Sequence, residues 1–137
     1  MTCTKLRMRS LIPSNFGHEN HFTYLMTKTE STPWFHSGKA LNSYAGNDAS
    51  PYQSGQFESK NRHISKRGSS ALRKACYEVM QALKLTKPQD DPVYLFMLKK
   101  EQEGKPYNVA KMAAVNKFLR IYYARAMETR SLVKSMS

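Results

Sequence analysis

One stretch restricts the fold more than any other: Leu72, Ala75, Cys76, Val79, Met80 and Leu83 recur at alternating steps of three and one. On an α-helix that spacing gathers them on one side over about three turns, whereas a strand would scatter them over both faces. Arg73, Lys74, Glu78, Gln81 and Lys84 fall on the opposite side, so this helix has a dry face that needs partners. Gly68 followed by Ser69 and Ser70 supplies its start, and Lys87, Pro88 and Gln89 interrupt the pattern.

The partners are themselves helical in period. Asp90 or Asp91 can cap a helix with Pro92 at its first position, Val93, Phe96 and Met97 on its inner face, Lys99 and Lys100 near its end and Gly104 beyond it. A last helix follows Pro106, with Val109, Met112, Leu119, Tyr122 and Ala126 as its inner stripe and Lys111, Lys117, Arg120 and Arg125 as its basic side. Upstream, Ser37 can cap and Gly46 can end a short helix that turns Leu41, Tyr44 and Ala45 inward, while Trp34 and Phe35 read as packing residues. Residues 1–33 show no sustained period of either kind. The fold class expected is therefore mainly α: a small helical bundle with an irregular basic loop carrying a Ser-Gly step, a disordered N-terminal leader over 1–33 and a polar tail over 131–137.

Charge sets the class of partner. The chain of 137 residues carries 22 Lys and Arg against 10 Asp and Glu, a net +12 that suits a polyanion such as nucleic acid. No apolar run approaches the ~20 residues of a membrane span, and the basic start MTCTKLRMRSLIPS lacks the apolar core of a signal peptide. Cys3 and Cys76 are far apart in unlike contexts, which fits a reducing cytoplasmic setting. His18, His21, His36 and His63 make no zinc-ligand spacing with them, so no metal is expected on this chain.

The densest local chemistry lies between Asp48 and Leu72, in DASPYQSGQFESKNRHISKRGSSAL. A turn at Asp48, Ser50 and Pro51 opens it, the Ser54-Gly55 step follows, and the basic residues Lys60, Arg62, Lys66 and Arg67 close it. No acid lies between Glu58 and Glu78, and Arg73 and Lys74 extend the basic cluster onto the next helix. With His63, these residues form the expected nucleic-acid-binding set. On these residues alone, Ser54 is either a nucleophile or an ordinary turn serine, and the cluster either a phosphate contact or a solvated face.

Four ordered blocks, FHSGKALNSYAG, SPYQSGQ, RHISKRGSSALRKACYEV and GKPYNVAKMAAVNKFLRIYYA, closely resemble the C-terminal transposase domain of the insertion sequence 110 family of bridge-RNA-guided DNA recombinases. The resemblance covers about residues 34–128 and implies a serine-bearing transposase domain over 34–130. It implies that Ser54, in the family's QSG step, attacks a DNA phosphodiester, with Lys66, Arg67, Arg62 and His63 near the phosphate. Where family members carry an apolar residue after the YAG step, this chain has Asn47. The family's acidic RuvC-like half has no counterpart, because only Glu19 and Glu30 precede Asp48. The resemblance thus implies a truncated copy, inactive alone, for which magnesium is expected only together with the missing acidic half. Its expected partners are DNA, a guide RNA, and a homo-oligomer or full-length transposase, in a bacterial, nucleoid-associated setting. The alternative is a non-catalytic DNA- or RNA-binding module. Tyr122 and Tyr123 read as packing residues rather than a second nucleophile.

Overall fold

The computed structural model describes residues 35–48, 53–54, 57–58 and 64–136, with the side chains of 53, 54, 57, 58, 129 and 133 left aside. In chain order these form α1 (Gly38–Ala45), β1 (Gln53–Ser54), β2 (Phe57–Glu58), α2 (Ser70–Thr86), α3 (Pro92–Gln102) and α4 (Tyr107–Met136). The domain is mainly helical, and α4 packs against each of the other three helices. The leader over 1–33 lies outside the described residues.

Local chemistry explains the boundaries. Ser37 caps α1 by accepting from the Ala40 amide, and Ser69 caps α2 by accepting from that of Leu72. Asp91 caps α3 by accepting from both Val93 and Tyr94 at 2.8 Å, with Pro92 just inside the helix. At the far ends, Gly46 at φ 70° and Gly104 at φ 79° sit in the left-handed region that glycine enters without strain.

The core forms where the stripes meet. Leu72, Ala75, Cys76, Met80 and Leu83 of α2 are buried with Leu41 and Ala45 of α1, Val93 and Met97 of α3, and Ala114, Val115, Phe118 and Leu119 of α4. Val79 completes the expected α2 stripe as a half-buried neighbour. Burial pushes the Cys76 thiol up to about 12, so this cysteine behaves as a small apolar residue.

Three expectations about faces are corrected by the packing. Tyr44 is 44% exposed rather than inward, and its ring meets Phe35 edge-on at 5.2 Å on the flank of the bundle. On α4 the buried face is Ala110, Lys111, Ala114, Val115, Phe118 and Leu119, while Val109 is 51% exposed. These positions do fall on one face, but two of them are alanines and one is a lysine, so a stripe read from large apolar residues misplaces it; the small residues are the ones that permit close approach. Lys111, assigned by its period to the basic side, is fully buried. Beyond Tyr123 the helix outgrows the bundle: Met127, Leu132 and Met136 are exposed, and residues 131–136, expected as a polar tail, continue the helix.

Candidate nucleic-acid interface at the neck of the serine loop

The chain leaves α1 at Gly46 and returns along the same helix end at Ser65, so the loop bearing Ser54 stands on a closed neck. Backbone pairing makes the closure: the Ser65 amide donates to the Asp48 carbonyl at 2.8 Å, that of Lys66 to Gly46 at 3.1 Å, and that of Ser69 to Tyr44 at 2.6 Å. The Asp48 carboxylate fastens both strands of the neck, accepting from Ser43 Oγ at 3.1 Å and Ser65 Oγ at 3.0 Å. Each such bond is worth about 1 kcal/mol net, so the neck depends on several acting together.

Two glycines permit this approach. A Cβ on Gly68 would stand 1.9 Å from the Tyr44 carbonyl oxygen and 2.6 Å from the Gly46 nitrogen, both immovable backbone atoms. Gly46 ends α1 in a Schellman motif, with the Asn47 amide reaching back to the Asn42 carbonyl at 3.1 Å. Asn47 is 3% exposed, and neither its amide oxygen nor its nitrogen has a partner.

The expected site residues divide into groups. Lys66 and Arg67 stand exposed on the rim of the neck, and Lys66 holds a left-handed φ of 55° that turns the chain back toward α2. Arg73 joins them but is half-buried, and its guanidinium donates to the Ala45 carbonyl at 3.0 Å, closing the C-terminus of α1. Lys74 lies one residue further along, exposed and 3.9 Å from the half-buried Glu78 in an (i, i+4) pair. Ser54 is placed by its backbone in β1, which pairs antiparallel with β2 so that Ser54 faces Phe57 and Gln53 faces Glu58. Lys60, Arg62 and His63 lie outside the described residues.

Sequence reasoning missed the clamp formed by Ser43, Asp48 and Ser65. Its signal was faint: two serines and an aspartate are ordinary turn residues, and only the pair Gly46 and Gly68 hinted that two backbones touch. Among the described residues no three His, Cys, Asp or Glu side chains converge as a metal would require. None of the described helices is long and apolar enough to cross a membrane.

The described residues thus form a mainly helical domain with the basic residues Lys66 and Arg67 exposed on the rim of a pinned neck. The family model described as Transposase IS116/IS110/IS902 family matches residues 19–95. That is more than half of the chain, which is therefore a member of this transposase family. The match runs through the neck, Ser54 and α2, and it begins inside the segment 1–33. No curated protein and no solved structure matches the chain.

Proposed function

We propose that this chain supplies the serine half of a DNA strand-exchange reaction. The observation that carries the reading is the family match over residues 19–95, which includes the Gln53-Ser54-Gly55 step on its neck. In this reading the Ser54 hydroxyl attacks the phosphorus of a DNA phosphodiester and loses its proton. One deoxyribose oxygen leaves as a hydroxyl, and the other DNA end stays esterified to the serine. A hydroxyl of the incoming strand then attacks the phosphoserine and releases Ser54, so the bond energy is conserved through the exchange. Lys66 and Arg67 on the rim offset the charge that gathers on the phosphate.

In this reading the carboxylates for magnesium come from an acidic RuvC-like domain. A guide RNA and other copies of the transposase complete the assembly in this reading. The test combines the full chain, such an acidic domain, magnesium and end-labelled duplex DNA, followed by denaturing electrophoresis. Wild type leaves label on the protein and Ser54→Ala does not; equal labelling of the two would remove Ser54 from the reaction.

The exposure of Lys66 and Arg67 also favours a second reading, a module that binds DNA or RNA without cutting it. Binding then survives Ser54→Ala, and neutralising both cations lowers the slope of log affinity against log salt by about 2. Salt-independent binding argues against this reading.

A further inference from the structure

The N-terminus of α4, remote in sequence from the serine loop, carries an unbalanced positive charge. α1, α2 and α3 each begin at a side-chain oxygen, from Ser37, Ser69 and Asp91. At α4 the first intrahelical bond runs from the Ala110 amide to the Pro106 carbonyl, and proline has no side-chain acceptor for the N–H groups of the first turn. The positive end of the macrodipole of a 30-residue helix is left without an anion there.

Lys111 supplies the second, independent observation. Its side chain points back toward the helix start, as helical side chains do, and Nζ lies 4.2 Å from the Tyr107 ring centroid and 4.3 Å from that of Tyr77. The residue is fully buried, and Nζ has no hydrogen-bond acceptor. Two ring faces attract a cation but accept none of its three N–H bonds in the way an oxygen does. Lys84 Nζ lies 5.5 Å from the same Tyr107 ring and is paired with Glu101 Oε2. The single negative charge of Glu101 is thus taken up by Lys84 through Oε2, and its Oε1 is buried without a partner. Lys111 and the helix end remain without a counter-charge. Buried charge of one sign without a partner is costly, and it is the arrangement that an oxyanion relieves.

We propose that the start of α4, with Lys111 beneath the ring of Tyr107, is a binding subsite for a phosphate group. Tyr107 is 46% exposed and covers Lys111 Nζ, so the ring swings outward as the phosphate enters and its oxygens reach Nζ and the first-turn amides. The inference does not rest on Ser54. The phosphate belongs either to a nucleic-acid backbone or to a small free phosphate, and the two sources are separable by competition.

The experiment measures thermal unfolding of the full chain in inorganic phosphate and in chloride of equal ionic strength. Wild type melts on the order of 10 °C higher at a phosphate concentration about 100 times the dissociation constant. Lys111→Met shows no difference between the two salts. A second variant, Tyr107→Ala, guards against failure of the first to fold: removing the cover tightens phosphate binding several-fold in a ³¹P line-width titration. Displacement of inorganic phosphate by a short duplex assigns the subsite to the nucleic-acid backbone, and retention of phosphate against the duplex assigns it to a small phosphate. An equal phosphate response in wild type and Lys111→Met, or an unchanged affinity in Tyr107→Ala, overturns the proposal.

Discussion

The helical core and the neck of the serine loop are held by different forces. In the core, Leu72, Met80, Met97, Val115 and Leu119 are removed from water almost entirely, and the stabilisation grows with area, whichever atoms happen to touch. In the neck, backbone amides of Ser65, Lys66 and Ser69 meet carbonyls of Asp48, Gly46 and Tyr44, and Asp48 binds two hydroxyls. Its stability is directional and leaves no room for a methyl group at Gly68. A core of the first kind tolerates substitution by residues of similar volume, whereas a neck of the second kind fails at single atoms.

The strongest way to break the comparison is Gly68→Ala. If backbone contact controls the neck, this added methyl costs about 4 kcal/mol or more in denaturant unfolding, rivalling the worst core truncation. A change below about 1 kcal/mol would show that the neck yields freely. Leu119→Ala tests the other region: deleting a fully buried side chain on the helix shared by all others costs about 3 kcal/mol. It should leave protease sensitivity between residues 48 and 65 unchanged under conditions where the variant is folded.

Smaller effects sharpen the distinction. Asp48→Ala removes the acceptor of two hydroxyl bonds at an exposed position and is expected to cost about 1 kcal/mol globally. Cleavage within the serine loop should accelerate more than global unfolding does, as native-state proteolysis can report. Parallel changes in the two would mean that the neck and the bundle open as one unit. Ser69→Ala, the loss of the α2 cap, is expected at about 1 kcal/mol as well.

The mildest test uses pH. The Cys76 thiol, at about 12 in the folded chain against an ordinary 9.0, is protonated in both folded and unfolded states below about pH 9. From there upward the unfolded chain releases the proton first, so Cys76 causes stability to fall as pH rises toward about 12. Relative to Cys76→Ala, wild type should lose stability only in that alkaline window. Equal pH profiles for the two would place the thiol in contact with water.

Much of this fold was legible because helices announce themselves locally. Ser37, Ser69 and Asp91 are caps within a few residues of what they cap, and the α2 stripe repeats often enough to fix which side is dry. Legibility failed on α4, where the buried face carries Ala110, Lys111 and Ala114 while the larger apolar Val109 is exposed. It failed again at the neck, where Asp48 reaches Ser65, 17 residues on, and so holds two chain segments together. The candidate site shows the same split. Ser54, Lys66 and Arg67 stand out by residue type and by charge, yet the duty of Arg73 as a closure for α1 is indistinguishable in sequence from that of its neighbours.

The sequence by itself determined that the chain is a basic, mainly helical domain, where α1, α2 and α3 begin and end, and to which transposase family it belongs. These properties rest on neighbours in sequence, on net charge and on motif order, none of which requires knowing what packs on what. Only the tertiary structure decided that Asp48 clasps Ser43 and Ser65, that Gly68 lies against Tyr44, and that Lys111 is enclosed by Tyr77 and Tyr107. Asp48 to Ser65, Gly68 to Tyr44 and Lys111 to Tyr77 join residues 17 or more apart in the chain. Their energies depend on distance and burial, which no local pattern encodes.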